Sequence, residues 1–138
     1  MVTLIVGLPG SGKSTYAKRL IEDGGLCYDL DAIASAFRLK QPHEERCNYA
    51  RVMANDLLLG WREKAYDYHD NIVVIRTAPT TEEAEELQPD RIVIMSQQWE
   101  PRECANESAA SDRIDELARW AREHYVEIIN PCPPHSHI

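Results

Sequence analysis

The sequence predicts an α/β fold, a parallel sheet covered by helices, and three observations predict it. Strand-sized apolar runs, among them Val2 to Val6, Ile72 to Ile75 and Ile92 to Met95, alternate with helix-period segments. The first run leads straight into Gly7-Leu8-Pro9-Gly10-Ser11-Gly12-Lys13-Ser14-Thr15, which fits G-x-x-x-x-G-K-[ST]. The 138 residues, 43% apolar and 28% charged, suit one core without repeats or linkers.

Val2 to Val6 reads as the first strand. A helix over residues 13 to about 22 follows from the spacing of Tyr16, Ala17, Leu20 and Ile21, with Gly24-Gly25 as its stop. The second strand is short, Leu26 to Tyr28. Asp29-Leu30-Asp31 ends it and opens a helix through Ala32, Ile33, Ala36 and Phe37, for which Asp31 is a favoured N-cap. Pro42 suits the first turn of a long helix on which Ala50, Met53, Leu57, Trp61, Ala65 and Tyr68 recur at core spacing.

Ile72 to Ile75 is β-branched and too short for a helix, so it is the third strand, ending in the loop Arg76-Thr77-Ala78-Pro79. Thr80 and Glu83 form a capping box for a short helix that stops before Pro89. Arg91 to Met95 is the fourth strand, and Pro101 starts a helical piece through Arg102, Glu103 and Cys104. The last helix runs from about Ser111 to Tyr125, burying Ile114, Leu117, Ala118, Ala121 and Tyr125, and Val126 to Ile129 adds a weak fifth strand. Residues 1–130 thus form one domain, and 131–138 a flexible, proline-stiffened tail.

Composition narrows the partners. A formal net charge of -8 argues against broad binding to a polyanion, which draws its affinity from clustered Lys and Arg. Cys27, Cys47, Cys104 and Cys132 stand apart without a C-x-x-C pair and read as reduced cytosolic thiols. No apolar run could span a bilayer, and the N-terminus lacks the basic start and cleavage site of a signal peptide. A cytoplasmic protein with no membrane partner is expected, its oligomeric state left open.

The glycine-rich stretch carries the chemistry. Glycines let backbone N–H groups turn inward around phosphates where a Cβ would intrude. Lys13 would reach the β- and γ-phosphates, Ser14 would offer its hydroxyl to Mg²⁺, and the following helix would present its positive end to the anion. Ligands of an open α/β sheet gather beyond the carboxyl ends of strands, so Asp29, Asp31 and Arg76 should share that crevice. Asp31 is a candidate base or only a helix cap. Asp29 is a candidate for Mg²⁺, through water, and for the substrate site, or else it merely ends the sheet. Arg76 is a candidate for substrate or γ-phosphate, against a salt bridge with Glu82 or Glu83. Arg38 is a candidate for a substrate phosphate, against an exposed helical arginine.

With the phosphate loop followed by Tyr28-Asp29-Leu30-Asp31, residues 1 to 125 resemble the P-loop kinases of the polynucleotide kinase type, and more closely small phage-encoded ATP-binding kinase-like proteins. The resemblance implies a P-loop NTPase three-layer α/β/α sandwich with a parallel sheet in the order 2-3-1-4-5 and a lid after strand four. It also implies ATP and Mg²⁺, with transfer of the γ-phosphoryl to a hydroxyl of a nucleoside, nucleotide or polynucleotide end. Asp31 then matches the aspartate that acts as base toward a 5′-hydroxyl. Arg113, beside the start of the final helix, matches the lid arginine, with Arg102 as the alternative. The chain departs from the pattern at Arg76, where many P-loop proteins have an acidic residue that supports Mg²⁺. The expected partners are a nucleoside triphosphate and a small hydroxylated substrate or nucleic-acid end. The alternative is an ATP-binding or hydrolysing accessory protein acting on a protein or DNA partner; a guanine-specific switch is disfavoured by the absence of N-K-x-D.

Overall fold

Strands buried on both faces read as unbroken apolar runs, and two of them organise this chain. In β1 (Val2–Val6) and β3 (Ile72–Arg76) every residue is buried. The structure, a computed structural model, describes residues 1–8, 10–36, 48–65, 71–95 and 107–131. β1 lies between β3 and β4 (Arg91–Ile94), with β2 (Leu26–Asp29) beyond β3 and β5 (Glu127–Ile129) beyond β4. All pairings are parallel, and the five-stranded sheet has the expected order 2-3-1-4-5.

Alternation along the strands splits the core in two. One face carries Leu4, Val6, Tyr28, Val74 and Ile92, packed beneath α2 (Leu30–Ala36), α3 (Asn48–Ala65), α4 (Thr81–Leu87) and α5 (Glu107–Glu123). The other carries Ile5, Val73, Ile75 and Val93 beneath α1 (Lys13–Leu20), through Ala17, Tyr16 and Leu20. The result is the expected three-layer sandwich. The one polar residue inside β1, Thr3, accepts a hydrogen bond at 2.8 Å from Arg91 Nε, so its burial leaves no orphaned hydroxyl.

Three expectations about packing are corrected. On α3 the buried stripe is Ala54 and Leu58 with Trp61 packed against it, while Met53 and Leu57 are each 54% exposed. The reason lies opposite: the Tyr28 hydroxyl donates to the Ala54 carbonyl and the Tyr28 ring stacks on Trp61 at 5.5 Å, an approach that admits only a small residue at position 54. Tyr125, expected on the buried side of the last helix, is 97% exposed. The helix ends at Glu123, and Tyr125 takes a left-handed φ of 58° that turns its ring to solvent. α5 also begins earlier than expected, at Glu107.

The capping box is present: Glu83 N donates to Thr80 Oγ1 at 3.2 Å, and Thr80 N donates back to Glu83 Oε1 at 3.1 Å. The expected helical piece at Pro101, the start at Pro42 and the tail from residue 132 lie outside the described residues. Among the described residues no helix is long and apolar enough to cross a membrane.

Candidate active site

The loop after β1 is anchored on both flanks of the sheet. Gly7 N donates to Thr77 O at 3.1 Å on the β3 side, and Met95 N donates to Val6 O at 2.9 Å on the β4 side. Ser11 N donates to Leu8 O at 3.1 Å and closes the turn. Gly12 stands at φ 91° and Gly10 at φ 78°, conformations that side chains with a Cβ rarely adopt. At Gly7 the constraint is space: a Cβ there would lie 2.6 Å from Ser11 Oγ and 3.0 Å from Met95 Cβ. Pro9 lies outside the described residues.

Gly12 is also the N-cap of α1, with no side chain capping it. The first amides of that helix therefore face the loop without an internal acceptor of the usual kind, as a phosphate-binding terminus requires. Lys13 opens the helix, and its Nζ donates to Gly7 O at 2.5 Å and Leu8 O at 3.1 Å. The ammonium is thus folded over the same loop whose amides would receive an anion. Ser14 and Thr15 follow and are exposed.

At the end of β2 the aspartates divide differently from expectation. α2 begins at Leu30, and Ala32 N donates to Asp29 Oδ1 at 3.3 Å, so Asp29 is the cap. The helix starts two residues earlier than expected, so Asp31 falls in the first turn of α2. Among the described residues no cluster of three His, Cys, Asp or Glu side chains is arranged to hold a metal ion. Ser14 and Asp29 are the oxygen donors that the sequence nominated for Mg²⁺, and a cation that keeps most of its waters and leans on phosphate oxygens needs few protein ligands.

Arg76 closes β3, in register with Val6, the last residue before the loop. It is 9% exposed and forms an ion pair with Glu83, the residue that also completes the capping box of α4. Of the two partners foreseen for it, Glu82 and Glu83, the second is the one engaged. Burial pushes the Glu83 carboxyl up, but the Thr80 amide and the Arg76 charge outweigh it and hold the group below the usual carboxylate range. Burial pushes the Tyr28 phenol up, and the Arg76 charge acts on it in the opposite direction.

Arg113 is exposed in the body of α5, because the helix starts at Glu107 and not beside it. Arg38 and Arg102 lie outside the described residues. Two contributors were not singled out from sequence. Thr77 offers its carbonyl to Gly7, and Met95 packs under the loop against Gly7 and Gly12; the signal was the apolar run that continues past β4 to Met95.

No family model matches the chain. Among solved structures it is similar to a sugar kinase from Janibacter sp. HTCC2649, with a TM-score of 0.58 and 14% identity over 98% of this chain and 88% of that one. It is also similar to a chain of the Pnkp1/Rnl/Hen1 RNA repair complex, with a TM-score of 0.59 and 12% identity over 88% of this chain. The likeness spans 45% of that second chain's length. At these identities the shared property is the fold, a kinase-like α/β sandwich.

Proposed function

We propose that this chain is a cytoplasmic P-loop kinase that binds ATP with Mg²⁺ and transfers the γ-phosphoryl to a hydroxyl of a nucleoside, nucleotide or polynucleotide end. The observation that carries the reading is the loop from Gly7 to Thr15: left-handed glycines, a helix start without a side-chain cap and a lysine folded over both. The fold it shares with a sugar kinase and with part of an RNA repair complex supports the same class. The narrower likeness to phage-encoded proteins rests on the motif residues alone.

In this mechanism the loop amides and Lys13 bind and neutralise the phosphates, moving the ammonium from its own carbonyls to the anion. Ser14 and Asp29, the latter through water, would hold Mg²⁺, which supplies charge neutralisation across the phosphate oxygens. Asp31 takes the proton of the acceptor hydroxyl as its oxygen bonds to the γ-phosphorus, and ADP leaves. In this reading Arg76 contributes a fixed positive charge to the substrate side of the crevice, and the roles assigned from the sequence to Arg38, a substrate phosphate, and to Arg113, the transferred group, complete it.

The test incubates the full chain with γ-labelled ATP and Mg²⁺, alone and with nucleosides, nucleotides and 5′-hydroxyl oligonucleotides. Label on a hydroxyl acceptor is the expected result, and it is abolished in Lys13→Ala, together with most nucleotide affinity. Release of inorganic phosphate that no acceptor diverts would instead mark an ATPase working on a protein or DNA partner.

A further inference from the structure

Beneath the loop from Gly7 to Thr15 lies a buried hydroxyl with no hydrogen-bond partner among the described residues. Ser11 is 9% exposed, and among the described residues its Oγ has no hydrogen-bond partner, although its backbone N–H is satisfied by Leu8 O. The hydroxyl rests against Gly7, 2.6 Å from where a Cβ would stand there, and the Cβ and carbonyl of Met95 reach the same point at 3.0 and 3.2 Å. Taking a hydroxyl out of water without a partner disfavours the state that contains it. Alanine would fill the same position of G-x-x-x-x-G-K-[ST] without that penalty. Buried polar groups in folded proteins are overwhelmingly bonded, so an orphan calls for a second state in which it is satisfied. The element around Ser11 has such a second state on general grounds: it is the turn between Gly10 and Gly12, leading into a helix start that no side chain caps.

Resting on the phosphate-binding reading of Gly7 to Thr15 and deepening it, we propose that Ser11 is a positioning residue of the loop. Its hydroxyl, without a partner among the described residues, gains a hydrogen bond when phosphate binds the loop. The free energy withheld from the empty fold is thereby added to phosphate binding. Stability and affinity then respond to this side chain with opposite signs, which a residue that merely packs would not produce.

Calorimetric titration of the full chain and of Ser11→Ala with ATP·Mg²⁺ and with inorganic tripolyphosphate tests this, alongside thermal melts of both proteins without ligand. The variant is expected to bind both ligands about five- to tenfold more weakly, the loss of roughly one net hydrogen bond. Without ligand it melts at a higher temperature. Unchanged affinity overturns the proposal. So does weaker binding coupled to an unchanged or lower melting temperature, since the hydroxyl would then not be penalised in the ligand-free protein. If the wild-type protein gives no heat with either ligand, the phosphate-binding reading falls and takes the proposal with it; if the wild type binds and the variant matches it, only the proposal falls.

Discussion

The loop that leaves β1 and the corner where β3 meets α4 stand side by side at one end of the sheet, yet they hold charge by opposite means. At the loop, backbone amides are aimed by glycine conformations, and the one charged side chain, Lys13, leans on main-chain carbonyls. At the corner the backbone is ordinary strand and helix, and the charge is a buried guanidinium held by Glu83. Geometry built from main chain is written in a local motif. Geometry built from one side chain bonding another, seven residues on, depends on the fold bringing them together.

The largest effect expected near these two regions belongs to a residue in neither. Asp31→Asn should lower phosphoryl transfer by about 10²–10⁴-fold, the usual contribution of a general base, while leaving ATP affinity nearly unchanged. Rates and titrations on the same preparation check this, and equal losses in transfer and in folded fraction would return Asp31 to a structural role. That Asp29 already caps α2 makes the distinction sharp.

Breaking the loop through its backbone comes next. Gly7→Ala places a methyl 2.6 Å from Ser11 Oγ and 3.2 Å from the Met95 carbonyl oxygen, an overpacking that should cost about 2 kcal/mol of stability. Nucleotide affinity should fall with it by about tenfold or more, because the Gly7 and Leu8 carbonyls that hold Lys13 must move. Urea melts and calorimetry measure the two losses separately; a variant that binds normally would show the loop to be more pliant than its packing implies.

The corner should break more gently and with a pH signature. Glu83→Gln keeps an acceptor for the Thr80 amide but removes the charge facing Arg76, for a loss of about 1–2 kcal/mol, reduced from that of a fully buried pair because Glu83 remains partly in solvent. The folded-state pKa of Glu83 is depressed, so its contribution is fully present above the unfolded carboxylate pKa, about 4.3. It is lost as pH falls through the lower folded value. Urea melts of wild type and variant should therefore differ at neutral pH and converge only once the pH has fallen below the depressed folded-state pKa of Glu83. A gap that persists at low pH would show that shape, not charge, holds the corner.

The elements legible in the sequence are those fixed by local chemistry. The apolar runs of β1, β3 and β4, the glycine turn and the reciprocal Thr80 and Glu83 bonds all follow from short-range rules. What escaped depends on partners distant in the chain. Two apolar stripes compete on α3, and the larger side chains, Met53 and Leu57, lose to Ala54 because Tyr28 approaches that helix closely. Tyr125 fits the helical period but lies past the helix end, where a left-handed residue reverses its direction. Asp31 was the expected cap of α2, and a helix that begins two residues earlier, at Leu30, gives that place to Asp29. The partner of Arg76 was narrowed to adjacent glutamates, and only the one whose amide meets Thr80 is turned toward the strand.

β1 is paired with β3 along its whole length and with β4 from Thr3 to Val6, and its first residue is tied as well: Val2 N donates to Asp90 Oδ2 at 2.7 Å and Asp90 N to Val2 O at 2.8 Å. Such a strand should surrender its amide protons only when the entire molecule opens. The loop that follows is consequently suspended from the slowest-exchanging segment of the chain, so a ligand seated there would meet a foundation that does not breathe, and whatever yields on binding must lie above it.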